Sequence, residues 1–118
     1  IHLRTLPPKT GVPLFLAATN PETWQTAIDS VDGVTTFWSP PAIKMNQQAK
    51  KAKSSFYSAA LIPFSLTQPS FFKNTVTSLN NLENELTNMQ QAGFNEAVIA
   101  YGDIKDLEAL AQLKNFNG

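Results

Sequence analysis

The chain has 118 residues, of which 42% are hydrophobic and 15% charged, the composition of an ordinary folded domain with one core. Nine basic and nine acidic residues give a formal net charge of zero, so the overall charge offers no attraction to nucleic acid or acidic lipid. Cysteine is absent and the one histidine is His2. This excludes disulfides, thiolate chemistry and nearly every mechanism that needs an imidazole, and we expect no metal and no cofactor.

The chain divides into an N-terminal arm, residues 1–11, and a single α/β domain, residues 12–118. Proline and glycine punctuate the arm, which has no hydrophobic periodicity. Residues 12–18 (VPLFLAA) are nearly all apolar and predict a strand covered on both faces. Asn20 followed by Pro21 predicts the start of a helix, with asparagine as the N-cap.

The next segments continue the alternation of helix and strand. Gly33 is the expected stop of the first helix, and residues 34–38 (VTTFW) are β-branched and aromatic, as in a strand. Ser39 precedes two prolines and predicts the start of a second helix. The apolar side of that helix extends through Phe56 and Ala59.

The third unit contains a proline and the longest helical pattern of the chain. Residues 61–66 (LIPFSL) are apolar, but Pro63 cannot donate a ladder hydrogen bond, which predicts an edge strand or an extended loop. The longest helix is expected from Pro69 to Gly93. Its apolar positions recur every three or four residues: Phe72, Val76, Leu79, Leu82, Leu86 and Met89.

Residues 97–101 (AVIAY) predict a last strand, and Asp103 is the expected N-cap of a last helix. Four consecutive β-α units favour a mainly parallel open sheet flanked by helices, which we expect to form a three-layer sandwich. The alternative is an α+β domain with a mixed sheet, in which the Pro63 segment is not a strand. Four units are too few to close an eight-stranded barrel alone.

A parallel sheet predicts its own ligand site, because ligands gather outside the carboxyl ends of the strands. Polar residues of these loops form a speculative ligand-binding set: Thr19, Asn20, Ser39, Thr67, Gln68, Tyr101 and Asp103. The same residue types also serve simply as helix caps and turn formers. No loop has the glycine spacing of a dinucleotide or phosphate cradle, and no catalytic residue is predicted.

Two surfaces are candidates for protein contact. A basic stretch on the second helix includes Lys50 and Lys51, although a solvated helix face has the same pattern. The long helix begins near Phe71, and its uncharged polar stripe would lose little on desolvation. The stripe includes Asn81, Asn84 and Asn88.

The leading functional hypothesis is a non-enzymatic binding or accessory module, a protein-interaction component of a larger assembly or a longer chain. The alternative is a small-molecule or anion-binding domain, or a small enzyme, that uses the carboxyl-end loops. We expect a protein partner and no nucleic acid, while the sequence leaves the oligomeric state open. No apolar stretch is long enough to span a bilayer. The first residue is Ile1, which suggests a processed, exported or organellar chain, or an excised domain.

Overall fold

Four parallel strands alternate with four helices in the computed structural model, which describes residues 13–66 and 75–113. The elements are β1 (Phe15–Ala17), α1 (Pro21–Ser30), β2 (Gly33–Phe37), α2 (Pro40–Ala52), β3 (Tyr57–Phe64), α3 (Leu79–Gln91), β4 (Glu96–Tyr101) and α4 (Ile104–Leu110), followed by a 3-10 turn (Ala111–Leu113). The strand order is β1-β2-β3-β4, and each neighbouring pair is parallel. The predicted α/β class with a parallel sheet is confirmed, and the mixed-sheet alternative does not hold for these strands.

The helices begin where side-chain oxygens satisfy their first backbone N–H groups. Asn20 accepts from Thr23 N–H at 2.8 Å, and Ser39 accepts from the first turn of α2. Asp103 caps α4 as part of a capping box. These three starts agree with the prediction from the sequence.

Two helix boundaries differ from the prediction. α3 begins at Leu79 after the cap Ser78, ten residues after the expected start; Pro69 lies outside the described residues. The α2 helix ends at Ala52, so Phe56 and Ala59 belong to the approach to β3 and to β3 itself. Phe56 is buried in the core. A buried apolar residue fits a helix or a strand equally well, so the spacing of Phe56 alone led to a wrong assignment to α2.

The prediction that Pro63 lies in an edge strand or a loop is wrong, because β3 is an interior strand between β2 and β4. The β2–β3 pairing ends at Leu61, two residues before the proline. Beyond that point the Pro63 carbonyl accepts from Val76 N–H at 2.9 Å, and Val76 also accepts from Ser65. In a parallel strand the N–H and C=O of one residue point to the same side. The N–H group that Pro63 lacks would therefore point past the end of β2. Its absence costs no hydrogen bond of the β2–β3 ladder.

All four helices pack on one face of the sheet. The strand residues that join the main core have one parity and include Val34, Ala60, Ile62 and Phe64. Helix residues in the same core are Trp24 and Ala27 from α1, Ala42 and Ala49 from α2, Leu82, Leu86 and Met89 from α3, and Ala109 from α4. Right-handed crossovers that each step to the next strand place α1, α2 and α3 on the same side. The α4 helix follows the last strand and joins the same core through Ala109. The described residues thus form two layers, and the expected third layer is not among them.

Candidate functional site

The second face of the sheet carries large apolar side chains that no described helix covers. We call this the uncovered face; the strand register places on it Phe15, Ala17, Thr35, Phe37, Tyr57, Ala59, Leu61, Pro63, Val98 and Ala100, with Glu96 at its amino end. Ala59 and Pro63 of the interior strand β3 are buried, and the other side chains of this face are partly or fully exposed. Phe15 is 39% exposed, Phe37 is 46% exposed and Val98 is 38% exposed. Parallel sheets are ordinarily covered on both faces, so exposed phenylalanines on such a sheet make this face a candidate contact surface.

Two aromatic rings organise the amino half of the uncovered face. Phe15 and Tyr57 stack with their ring centroids 5.1 Å apart and an angle of 4° between the rings. Gly33 lies between them in the strand register. A Cβ atom at Gly33 would lie 2.0 Å from the Tyr57 carbonyl oxygen, so this position requires glycine. The close approach explains why Gly33 opens β2 instead of ending α1 as predicted.

A polar rim borders the uncovered face where the strands begin. The Tyr57 hydroxyl donates to Glu96 Oε2 at 3.1 Å. Burial, together with the hydrogen bond and the negative charge of Glu96, raises the pKa of Tyr57 above its usual value. A shallow cavity of about 520 Å³ at this end is lined by Pro13, Phe15, Asp32, Lys53, Ser55, Tyr57 and Glu96. Water reaches this end of the sheet, so its charges remain solvated.

Further apolar side chains lie beside the β4 edge. Ile104 is 67% exposed, and Leu107, one helical turn later, is also exposed. Tyr101 at the end of β4 is half exposed. Four of the seven large exposed apolar residues of the described chain therefore belong to β4 or α4, namely Val98, Tyr101, Ile104 and Leu107.

Five of the predicted ligand residues belong to the described chain and lie at the carboxyl ends of the strands, but helix caps already use three of them. Asn20, Ser39 and Asp103 each accept backbone N–H groups of the helix that follows. Thr19 is exposed in the loop after β1, and Tyr101 is exposed at the end of β4. Thr67 and Gln68 lie outside the described residues. The structure thus brings the strand ends to one edge without joining these side chains into one cluster.

A buried carboxylate holds two of these loops together. Asp106 is fully buried and accepts from Leu66 N–H at 2.8 Å, Gly102 N–H at 2.8 Å and Asp103 N–H at 3.0 Å. These backbone donors, that of Leu66 foremost, hold the pKa of Asp106 below its usual value despite the burial. The sequence places Asp106 only at the third position of α4, and nothing in the sequence shows that it reaches the end of β3.

An open cleft between α2 and α3 reaches the carboxyl end of β2. Its volume is about 490 Å³, and its lining is Trp38, Ser39, Pro40, Ile43, Ile62, Val76, Glu85 and Asn88. Trp38 donates its indole N–H to Glu85 and meets the ring of Phe94 edge-on, with the centroids 5.7 Å apart. The cleft therefore combines an aromatic wall with a carboxylate, and Ser39 is the one predicted ligand residue that lines it.

The residues predicted for protein contact are distributed over different surroundings. Lys50 Nζ donates to the Phe56 carbonyl and to Asn95 Oδ1 (2.6 Å), and burial lowers the pKa of Lys50. Lys51 is exposed, as are Asn81, Asn84 and Asn88 on α3, and Asn88 also lines the cleft between α2 and α3. Phe71 lies outside the described residues. Among these residues, the contacts of the described chain therefore show a structural role for Lys50 and none for Lys51 or the three asparagines.

No metal centre emerges from residues 13–66 and 75–113, which bring no three histidine, cysteine or acidic side chains together as ligands. The helices of this part of the chain are too short or too polar to cross a membrane.

No protein-family model matches the chain, and the search of curated proteins also returns no match.

Proposed function

We propose that this chain is a non-enzymatic interaction module, which binds a protein partner through the uncovered face of its sheet. The observation that carries the proposal is the pair of exposed phenylalanines, Phe15 and Phe37, on a parallel sheet whose opposite face is covered by four helices. Exposed aromatic side chains contribute strongly to protein interfaces when a partner buries them. Such a module would serve as a component of a larger assembly or of a longer chain.

The charge and polarity of this surface fit a protein partner better than a nucleic acid. The uncovered face has an apolar centre, and its amino rim carries the carboxylates Glu96 and Asp32. An apolar centre with a polar rim is the usual anatomy of a protein interface. Phosphate backbones require clustered lysine or arginine, and among the described residues the cavity at the amino end of this face is lined by a single basic residue, Lys53.

The experiment is a pull-down from the native source with the chain immobilised, in which Phe37→Ser is compared with Leu66→Ser. The two side chains are matched, because Phe37 is 46% and Leu66 42% exposed, but Leu66 lies off the uncovered face at the end of β3. We expect Phe37→Ser to lose the specific partner and Leu66→Ser to retain it. If both variants retain the partner equally, the proposal is contradicted. This holds whether the captured partner is a different protein or a second copy of the chain.

The cleft between α2 and α3 favours a second candidate function, the binding of a small polar molecule. Its aromatic wall, Trp38, faces a carboxylate, Glu85, and both are joined by a hydrogen bond. Melting temperatures measured with a panel of sugars, polyols and small anions test this candidate. A ligand at a hundredfold excess over its dissociation constant adds about 2.7 kcal/mol of stability, and Glu85→Gln should abolish that shift. A panel without any shift would remove this candidate.

A further inference from the structure

We propose that two copies of this chain associate into one closed eight-stranded parallel barrel. In this arrangement the β4 edge of each copy pairs with the β1 edge of the other, and the two uncovered faces form the interior. The inference rests on the proposed function, because it identifies the partner of the uncovered face as a second copy of the chain.

The strand order is the first argument. A doubly wound sheet reverses its strand order at some point, and that reversal places helices on both faces. This sheet runs β1-β2-β3-β4 without a reversal, is parallel throughout and has its described helices on one face. Sequential parallel strands with helices only outside are the geometry of a (β/α)₈ barrel, of which four units form half.

The two edges of the sheet are the second argument. Within the described chain β1 pairs only with β2, and β4 pairs only with β3. The β4 strand has the sequence EAVIAY, whose only charge is at its first residue, Glu96. Proteins ordinarily protect an exposed strand edge with lysine, proline or a bulge, and β4 has none of these. A twofold axis along the barrel would pair β4 of each copy with β1 of the other. Two new strand pairings would form, and no edge would stay open.

The side chains of the uncovered face supply what a barrel interior needs. Barrel interiors are layers of four side chains, contributed by alternate strands. Phe15 and Tyr57 stack and come from β1 and β3, while Phe37 and Val98 come from β2 and β4. Two copies would therefore supply eight large side chains to the interior. Glu96 lies at the amino end of the face, where the mouth of the barrel leaves its carboxylate in water.

The apolar area available is more than half of what a standard interface buries on each partner. Six large side chains expose apolar surface on the uncovered face and beside β4: Phe15, Phe37, Val98, Tyr101, Ile104 and Leu107. Together they expose on the order of 500 Å², and the smaller residues and strand edges add to this, against about 800 Å² per partner in a standard interface. Closure would also bring α4 beside α1 of the other copy, which covers Ile104 and Leu107. The zero net charge leaves no overall repulsion between two copies.

The first test is the mass of the purified 118-residue chain in solution, measured by sedimentation over about a hundredfold range of concentration. We expect a monomer–dimer equilibrium without larger species. Val98→Lys should raise the dissociation constant at least about a hundredfold, because closure would bury an unpaired charge. Ala52→Lys adds the same charge on the exposed end of α2, away from both edges, and should leave the equilibrium unchanged. Circular dichroism of both variants verifies that the monomer is folded.

The second test determines which edges meet. The chain has no cysteine, so engineered thiols report only the intended contact. Ala17→Cys on β1 is combined with a cysteine at Val98 or Ala100 on β4, which lie on the same face of the sheet as Ala17, because a disulfide requires Cα atoms about 4.4–6.8 Å apart. At least one double variant should form a covalent dimer under mild oxidation, and the corresponding single variants should not.

Three outcomes would overturn the proposal: a monomer at every concentration, a dimer that Val98→Lys leaves intact, or single cysteine variants that cross-link as well as the double variants. A monomeric chain that still captures a partner in a Phe37-dependent pull-down would refute the second copy as partner. It would leave the proposed function standing, so the two failures are distinguishable.

Discussion

The same four strands build both faces of the sheet, but the two faces differ in what covers them. On one face, Val34, Ala60 and Ile62 are almost completely buried beneath the helices. On the other face, Phe37 and Val98 are also apolar, but each keeps more than a third of its surface in contact with solvent. Burial, not composition, therefore separates the stabilised face from the face that is available for binding.

This difference has an energetic consequence. A fully buried aliphatic or aromatic side chain contributes about 1.5–3 kcal/mol by leaving water, whereas a half-exposed one contributes only part of that amount. The helix-covered face therefore holds the chain together. The uncovered face keeps apolar surface exposed to water, and association would bury it.

The largest expected effect tests the helix-covered face. Leu82 is fully buried on α3, so Leu82→Ala should lower the free energy of unfolding by about 3 to 5 kcal/mol, through lost burial and the cavity left behind. Urea denaturation followed by circular dichroism measures this change. A loss below about 1 kcal/mol would show that α3 does not pack on the sheet as described.

A smaller effect is expected at the carboxyl end, where Asp106 joins two loops. Asp106→Asn should lower the free energy of unfolding by about 2 kcal/mol, because the backbone N–H groups of Leu66 and Gly102 lose a charged acceptor. Glu108→Gln on the same helix is the matched control, since Glu108 is exposed and its substitution should cost little.

The stabilisation by Asp106 also depends on pH with a definite sign. The folded-state pKa of Asp106 lies below the value of an unfolded aspartate, because its backbone donors favour the charged form. Its contribution is therefore complete above the unfolded pKa, near 4, and is lost as the pH falls through the lower folded pKa. Wild type should lose stability relative to Asp106→Asn as the pH is lowered from about 5 to 2. A difference between the two proteins that stays constant over this range would contradict the ionised, hydrogen-bonded carboxylate.

Much of the fold was predictable from local patterns. The caps Asn20, Ser39 and Asp103 marked three helix starts, because a short polar side chain before proline or an acidic first turn has few other uses. Pro63 misled the prediction, because its tolerance depends on where the neighbouring strand β2 ends. That length is set by packing between segments and has no signature in the residues around the proline.

The uncovered face was not predictable in the same way. Residues 34–38 look like a strand whether Phe37 faces a helix or solvent, and the notion of a third layer followed from average α/β architecture. Which face is covered depends on strand order, and the order is a property of the whole sheet. The carboxylate network of Asp106 depends on the same long-range arrangement, because its partner Leu66 is 40 residues away.

The smallest expected effect sharpens the comparison of the faces most directly. Phe37→Ser and Phe64→Ser make the same chemical change on the two sides of the sheet, and Phe64 is 1% exposed where Phe37 is 46% exposed. In dilute solution, Phe64→Ser should cost about 3 kcal/mol or more and Phe37→Ser less than about 1 kcal/mol, as measured by urea denaturation. If the uncovered face associates, the cost of Phe37→Ser should grow with protein concentration, because association stabilises only the wild type by mass action. Equal costs for the two substitutions in dilute solution would mean that Phe37 is already covered within one chain, and the distinction between the faces would fail.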